Sequence, residues 1–303
     1  MLNKEIKIIA GPCSVDRDNI NDIVDIANIE IENKRVIYGV RMVGLKSRTA
    51  LDISGNGMGM DFEAYMKNIK ILSNGGKSSD FIDLPSILLS KELQKKQDIL
   101  VASEIVDVSI QMPLLERHLK NGKVMTWNPS VNQLGWPILN MSKYCERNNW
   151  LLGIKNAKNL GDHLNNSEEA NQKTSLDKVW EGLVRYSQMP TENKVLIHRG
   201  VDVPEKGDFR NALVHNLAKR VKLATSCKLY FDPSHSYGPK LRDKIPEGII
   251  NALRTKIDDC NYLYDGALIE SGISKTDTDQ HLTVKELKDV LKEVSKFRDL
   301  STK

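Results

Sequence analysis

The chain has 303 residues, 40% hydrophobic and 28% charged, a balance that gives a folded protein with a sizeable core and excludes a disordered or fibrous one. Its formal charge of +4 comes from interspersed acidic and basic residues, so charge marks no nucleic-acid-binding face, while an anionic small-molecule substrate is compatible. No apolar run reaches the roughly 18 residues of a membrane span. MLNKE leads straight into IKIIAG without the features of a signal peptide, so a cytoplasmic location is expected. Cys13, Cys145, Cys227 and Cys260 lie far apart with no CxxC pair, which predicts reduced thiols.

In chain order, short apolar and β-branched runs predict strands at 6–10 (IKIIA), 36–43 (VIYGVRMV), 99–105 (ILVASEI) and 123–127 (KVMTW), and again at 150–155 (WLLGIK), 194–199 (KVLIHR), 228–232 (KLYFD) and 265–270 (DGALIE). Their nearly continuous apolar character is that of parallel strands covered on both faces. Amphipathic stretches predict helices over 80–96, 211–225, 246–257 and 283–300; in the last, Val284, Leu287, Val290, Leu291 and Val294 share one face. Eight strands alternating with helices predict a single-domain (β/α)8 TIM barrel. The competing fold is a doubly wound open sheet, which lacks support because no glycine-rich phosphate fingerprint follows the first strand. SGNGMGMDF (54–62) reads as part of a long mobile loop after strand two, about 47–80, and the polar stretch of about 156–180 as a loop after strand five. No separate regulatory domain is expected.

The strands end alike. Strand one runs into GPCS with Cys13, strand two into GLKSRT with Lys46, Arg48 and Thr49, and strand five into Lys155-Asn156. Strand six ends in His198-Arg199-Gly200, strand seven in DPSHS, and strand eight in Glu270-Ser271. In a barrel these polar ends emerge on one face, where active sites are built.

Two constellations follow. Cys13, His235 and Glu270 come from strands one, seven and eight, which become neighbours on closure; thiolate, imidazole and carboxylate together suit a divalent metal, with Asp277 or Asp279 as a further donor. The plainer alternative is a buried thiol, a solvated strand-end carboxylate and two loop acids. Lys46, Arg48, Lys155 and Arg199 make a cationic set suited to phosphate; the plainer alternative is separate charges paired with local acids, for which Asp232 and Glu104 are available. His198 either orients a substrate or fills space. The histidines at 118, 163, 215 and 281 read as solvated.

Taken in order, AGPCSV, KSRT, KN, HRG, DPSHS and IE…D…Q resemble the type I 3-deoxy-arabino-heptulosonate 7-phosphate (DAHP) synthase family, within a superfamily that includes 3-deoxy-octulosonate 8-phosphate and sialic acid synthases. The resemblance spans nearly the whole chain. KSRT is similar to the family's KPRT segment for erythrose 4-phosphate, and Cys13 stands where metal-independent octulosonate synthases carry Asn. What the resemblance implies is condensation of phosphoenolpyruvate with an aldose phosphate, with release of phosphate, as the first step of the shikimate pathway to the aromatic amino acids. It implies a divalent ion (Mn2+, Fe2+, Co2+ or Zn2+) on Cys13, His235, Glu270 and Asp277, with Asp277 preferred to Asp279 for its three-residue step to Gln280. Lys155 and Arg199, with His198 and Asp232 beside them, would hold phosphoenolpyruvate, and Arg48, Thr49 and Lys46 the aldose phosphate. Lys155 is a candidate proton donor, and a homodimer or homotetramer is expected.

Three departures stand out. The family's GAR motif after strand four is replaced by TWNPSVNQ, with Pro129 nearest the Arg position and Lys158 as a candidate substitute cation. The step from Glu270 to Asp277 is short, and Ser47 replaces Pro. These departures keep two alternatives in view: a sibling synthase using another sugar acceptor, and a sugar-phosphate-binding barrel without catalysis.

Overall fold

The structure is a computed structural model that describes residues 4–47, 58–158, 173–203, 206–274 and 279–303. Eight parallel strands close into a barrel: β1 (Glu5–Gly11), β4 (Gly39–Arg41), β5 (Leu100–Glu104), β6 (Val124–Trp127), β7 (Leu151–Lys155), β8 (Lys194–His198), β9 (Lys228–Phe231) and β10 (Gly266–Glu270). Closure is made by β1 on β10, in register from Lys7 opposite Gly266 to Gly11 opposite Glu270. The (β/α)8 expectation therefore holds, and the open sheet is excluded.

Between β1 and β4 a hairpin intervenes, β2 (Glu30–Ile31) and β3 (Lys34–Arg35), turned through Glu32 and Asn33 with φ of 50° and 59°. Positive φ at both central residues matches the right-handed twist of the paired strands. The run 36–43 thus contributes only Gly39–Arg41 to the ladder, less than its composition predicts. The outer ring comprises α1 (Ile20–Ala27), α2 (Phe62–Ser73), α3 (Pro85–Lys96), α4 (Val108–Leu119), α5 (Gly135–Asn148), α6 (Ser175–Tyr186), α7 (His215–Thr225), the short α8 (Pro233–Tyr237), α9 (Ile245–Arg254) and α10 (Val284–Ser295).

Several boundaries differ from expectation for local reasons. The helix expected over 80–96 begins at Pro85, whose fixed φ suits a first turn. The stretch of about 47–80 contains α2, and α6 begins inside the stretch of about 156–180, where Thr174 accepts from the Asp177 amide as N-cap. The last helix starts in a capping box, Thr283 with Glu286, and stops at Ser295; residues 299–301 form a further strand, β11 (Asp299–Ser301), parallel to β1. No described helix is long and apolar enough to cross a membrane.

Two apolar volumes result. One lies between sheet and helices. The other fills the barrel, where Ile9, Ala102, Met125, Ile197, Tyr230 and Leu268 face inward. Because side chains alternate along a strand, residues two further on from these share the interior at a higher level. Those are Gly11, Glu104, Trp127, Arg199, Asp232 and Glu270, so the top of the barrel is largely ionic.

Candidate active site

Three buried ion pairs cross this top level. Arg41 Nη2 lies 3.0 Å from Glu270 Oε1, Lys155 Nζ lies 3.0 Å from Asp232 Oδ2, and Lys46 Nζ lies 3.7 Å from Glu104 Oε2. The Trp127 indole N–H donates to Glu104 Oε2 at 3.3 Å, while Arg41 and Lys155 each stand 5.6 Å from its ring centroid. Desolvation of such charges is offset only by close pairing. Burial alone would raise the Glu104 carboxyl, but Lys46, Lys155 and the Ser47 hydroxyl outweigh it and bring its pKa to about 2. Burial would likewise lower Lys46, yet Cys13 and Glu104 beside it leave it raised. Lys155 is lowered, because burial outweighs Asp232 and Glu104.

Above this level, Lys46, Lys155, Lys158, Arg199 and Arg210 line a cavity of about 320 Å3 together with the carboxylate Glu104, His235 and the loop after β6 at Ser130–Val131. Five cations against one carboxylate make the lining strongly positive. The expected cations Lys46, Lys155 and Arg199 are thus brought together. Asp232 and Glu104 do pair with them, but inside one shared site rather than as separate surface charges.

Backbone geometry here depends on two asparagines. Asn128, just past β6, accepts from the Lys155 amide at 2.8 Å; Asn156, just past β7, accepts from the Arg199 amide at 2.8 Å. Each strand end therefore fixes the cation-bearing end of the next strand.

The DPSHS segment is a helix start. Asp232 is the N-cap of α8, accepting from the His235 amide at 3.3 Å, and Pro233 occupies the first turn. The same carboxylate lies 3.0 Å from His235 Nδ1, and His235 Nε2 lies 3.6 Å from Glu270 Oε1. Burial lowers the His235 pKa against the opposing pull of Asp232 and Glu270. With Nδ1–H donating to Asp232, the Nε2 electron pair faces Glu270 Oε1, which itself accepts from Arg41 Nη2 at 3.0 Å.

Donor type and placement therefore fit a metal at His235 and Glu270. The backbone carbonyl of Cys13 accepts from Arg41 Nη2 at 3.4 Å, the same nitrogen that contacts Glu270. Among the described residues, however, no three metal-binding side chains form one cluster. Asp277 lies outside the described residues, as do Arg48 and Thr49, and Asp279 is exposed.

Three expectations need correction. His198 does not face the mouth. Val195 and Ile197 point into the barrel, so His198 points outward, where its Nδ1 lies 2.8 Å from the Tyr264 hydroxyl and burial lowers its pKa to about 3. His215, read as solvated, joins the same cluster: its Nδ1 lies 2.7 Å from Tyr264 Oη, and burial lowers its pKa to about 4. Asp232, expected beside the ligand, is wholly buried and sits beneath Lys155 and His235.

Sequence reasoning missed Arg41 and Arg210. Arg41 sits within strand β4, where nothing local marks it, and its Nη1 is buried with no hydrogen-bond partner among the described residues. Arg210 lies on a loop folded back over the mouth, its Nη1 donating to Gln280 Oε1 at 2.6 Å, while Gln280 donates to Glu270 Oε2 at 2.7 Å. Ser47, where the resembled family has Pro, donates to Glu104 Oε1 from both its amide (3.2 Å) and its hydroxyl (2.7 Å).

Fold and site together define a (β/α)8 barrel with an anion-attracting mouth over a neutralised ionic floor. Among solved structures, the crystal structure of phospho-2-dehydro-3-deoxyheptonate aldolase (DAHP synthase) from Thermotoga maritima is similar, at 18% identity with a TM-score of 0.67, covering 97% of this chain and 69% of that one. A truncated form of 3-deoxy-D-arabino-heptulosonate 7-phosphate synthase from Thermotoga maritima matches at 17% identity with a TM-score of 0.65, covering 98% and 88%. The chain therefore has the fold of the DAHP synthases. No family model and no curated protein matches it.

Proposed function

We propose that this barrel condenses phosphoenolpyruvate with an aldose phosphate, most directly erythrose 4-phosphate, in the manner of a DAHP synthase. The observation that carries the reading is the single cavity in which Lys46, Lys155 and Arg199, from three strand ends, meet Arg210 and His235. Two anionic substrates repel each other in water; a fixed cationic lining holds both and orients them for bond formation. Arg199 and Lys155 take the phosphate and carboxylate of phosphoenolpyruvate, and the buried Nη1 of Arg41 offers a further donor. Asp232 positions Lys155 and His235 from below.

In the reaction, C3 of phosphoenolpyruvate bonds to the aldehyde carbon, water adds at C2, and the C2–O bond breaks to release phosphate. Lys155, with its lowered pKa, is placed to give a proton to the aldehyde oxygen. A divalent ion would be held by His235 and Glu270 with Cys13. The chemistry it supplies when bound is Lewis-acid polarisation of the aldehyde.

A second reading, a sugar-phosphate-binding barrel without catalysis, is favoured by Pro129 standing where the family's strand-four Arg is expected, with the uncharged Ser130 and Val131 lining the cavity there. Phosphate release from phosphoenolpyruvate, measured with a panel of aldoses and added Mn2+ or Zn2+, separates the readings. Aldose-dependent release supports condensation, and the active aldose names the acceptor. Tight phosphoenolpyruvate binding without release under any condition supports the second reading.

A further inference from the structure

Among the cations of the mouth, Lys46, Lys155 and Lys158 each share their charge with a carboxylate, that of Glu104, Asp232 and Asp202 in turn. On the lip after β6, Ser130 and Val131 bring no charge. Phosphoenolpyruvate carries about three negative charges on its phosphate and carboxylate together. Arg210 lines the same cavity, and its Nη1 donates at 2.6 Å to Oε1 of Gln280. A neutral amide fixes a guanidinium without cancelling its charge.

Both ends of this contact are anchored. The Arg210 and Asn211 amides donate to the Tyr237 and Ser236 carbonyls at 3.1 and 3.0 Å, and Val201 and Ala212 form an antiparallel bridge behind them. Gly238, at φ +73°, lets the turn after α8 close on Arg210, where a Cβ would come within 2.5 Å of the Arg210 Cβ. Gln280 is wholly buried, two residues before Leu282, which bridges to Ser271 at the end of β10. Its Nε2 donates to Glu270 Oε2 at 2.7 Å. The amide takes only this orientation, since a carboxylate accepts and a guanidinium donates. A carboxylate in its place would repel Glu270 and an ammonium would repel Arg210; glutamine satisfies both.

We propose that Arg210 is a phosphoenolpyruvate-contacting cation and that Gln280 is the positioning residue that sets its guanidinium over the mouth. The proposal rests on the condensation reading and adds to it a binding residue from the loop after β8. Arg210 thus belongs with Arg199; β8 stands four strands from β4, and so from the acceptor-side Lys46, in either direction round the barrel. A fork held in place before the ligand arrives loses little freedom on binding and meets a phosphate with paired N–H groups.

The test is calorimetric titration of phosphoenolpyruvate into the wild-type chain, Arg210→Ala, Arg210→Lys, Gln280→Met and the double variant Arg210→Ala/Gln280→Met, with melting curves showing that each folds. Arg210→Ala is expected to lose roughly tenfold or more in affinity, the scale of a hydrogen bond to a charged group. Gln280→Met is expected to lose about fivefold, and the double variant to stay within about twofold of Arg210→Ala, because the amide acts through the guanidinium. Arg210→Lys, which keeps the charge but not the fork, is expected to lose about fivefold. Wild-type affinity in Arg210→Ala overturns the contact. Losses that multiply in the double variant, or wild-type affinity in Gln280→Met or Arg210→Lys, overturn the positioning role. Should Gln280→Met fail to fold, the two Arg210 variants still decide both parts. Wild-type protein that does not bind phosphoenolpyruvate overturns the condensation reading, and the proposal with it.

Discussion

Along β8, Ile197 packs in the apolar interior while Arg199, two residues on, opens into the mouth; along β10 the same step separates Leu268 from Glu270. Two residues of strand span about 6.6 Å. Over that distance the barrel changes from a dry core, in which packing gives stability, to an ionic level in which Arg41, Lys46 and Lys155 are each held by a carboxylate. Ligand chemistry is thus confined to the upper level, while stability rests on packing below and on charge pairing above. Substitutions at the two levels should therefore separate.

The largest effect is expected at the upper level. Arg41→Ala leaves Glu270 buried without its cation, a change of about 3–5 kcal/mol in stability, and should also abolish aldose-dependent phosphate release. Ile197→Ala, one level down, should cost about 2–5 kcal/mol through the cavity it leaves, while the folded fraction keeps its phosphoenolpyruvate affinity. Denaturant unfolding and calorimetry on the two variants test the division; loss of ligand affinity in folded Ile197→Ala would break it. A smaller effect is expected from Ser47→Ala, which removes one hydroxyl donor from Glu104 while keeping the amide bond, at about 1.5 kcal/mol. A stability unchanged by this substitution would show that the hydroxyl does not hold Glu104.

The barrel was legible in the sequence because parallel strands covered on both faces are continuous apolar runs, and their polar ends read as one face. The cations at those ends, Lys46, Lys155 and Arg199, were legible for the same reason. Arg41 was not, because its neighbours in VIYGVRMV are those of any buried strand, and its burial depends on Glu270 from the far end of the chain. Arg210 lies eleven residues past Arg199, and only the folding back of its loop brings it to the mouth. His198 was misplaced because a strand-end position does not reveal which way the pleat turns its side chain. β11 was absorbed into the final helix because the helical periodicity of 284–294 runs without a break into Phe297-Arg298-Asp299-Leu300.

The central claim, that the mouth is an anion site built for phosphoenolpyruvate, is tested most directly by titrating that compound into wild-type protein and Arg199→Ala. The account predicts saturable binding at one site per chain, weakened at least a hundredfold in Arg199→Ala at unchanged melting temperature. Wild-type protein that does not bind, or equal affinity in the variant, would contradict it.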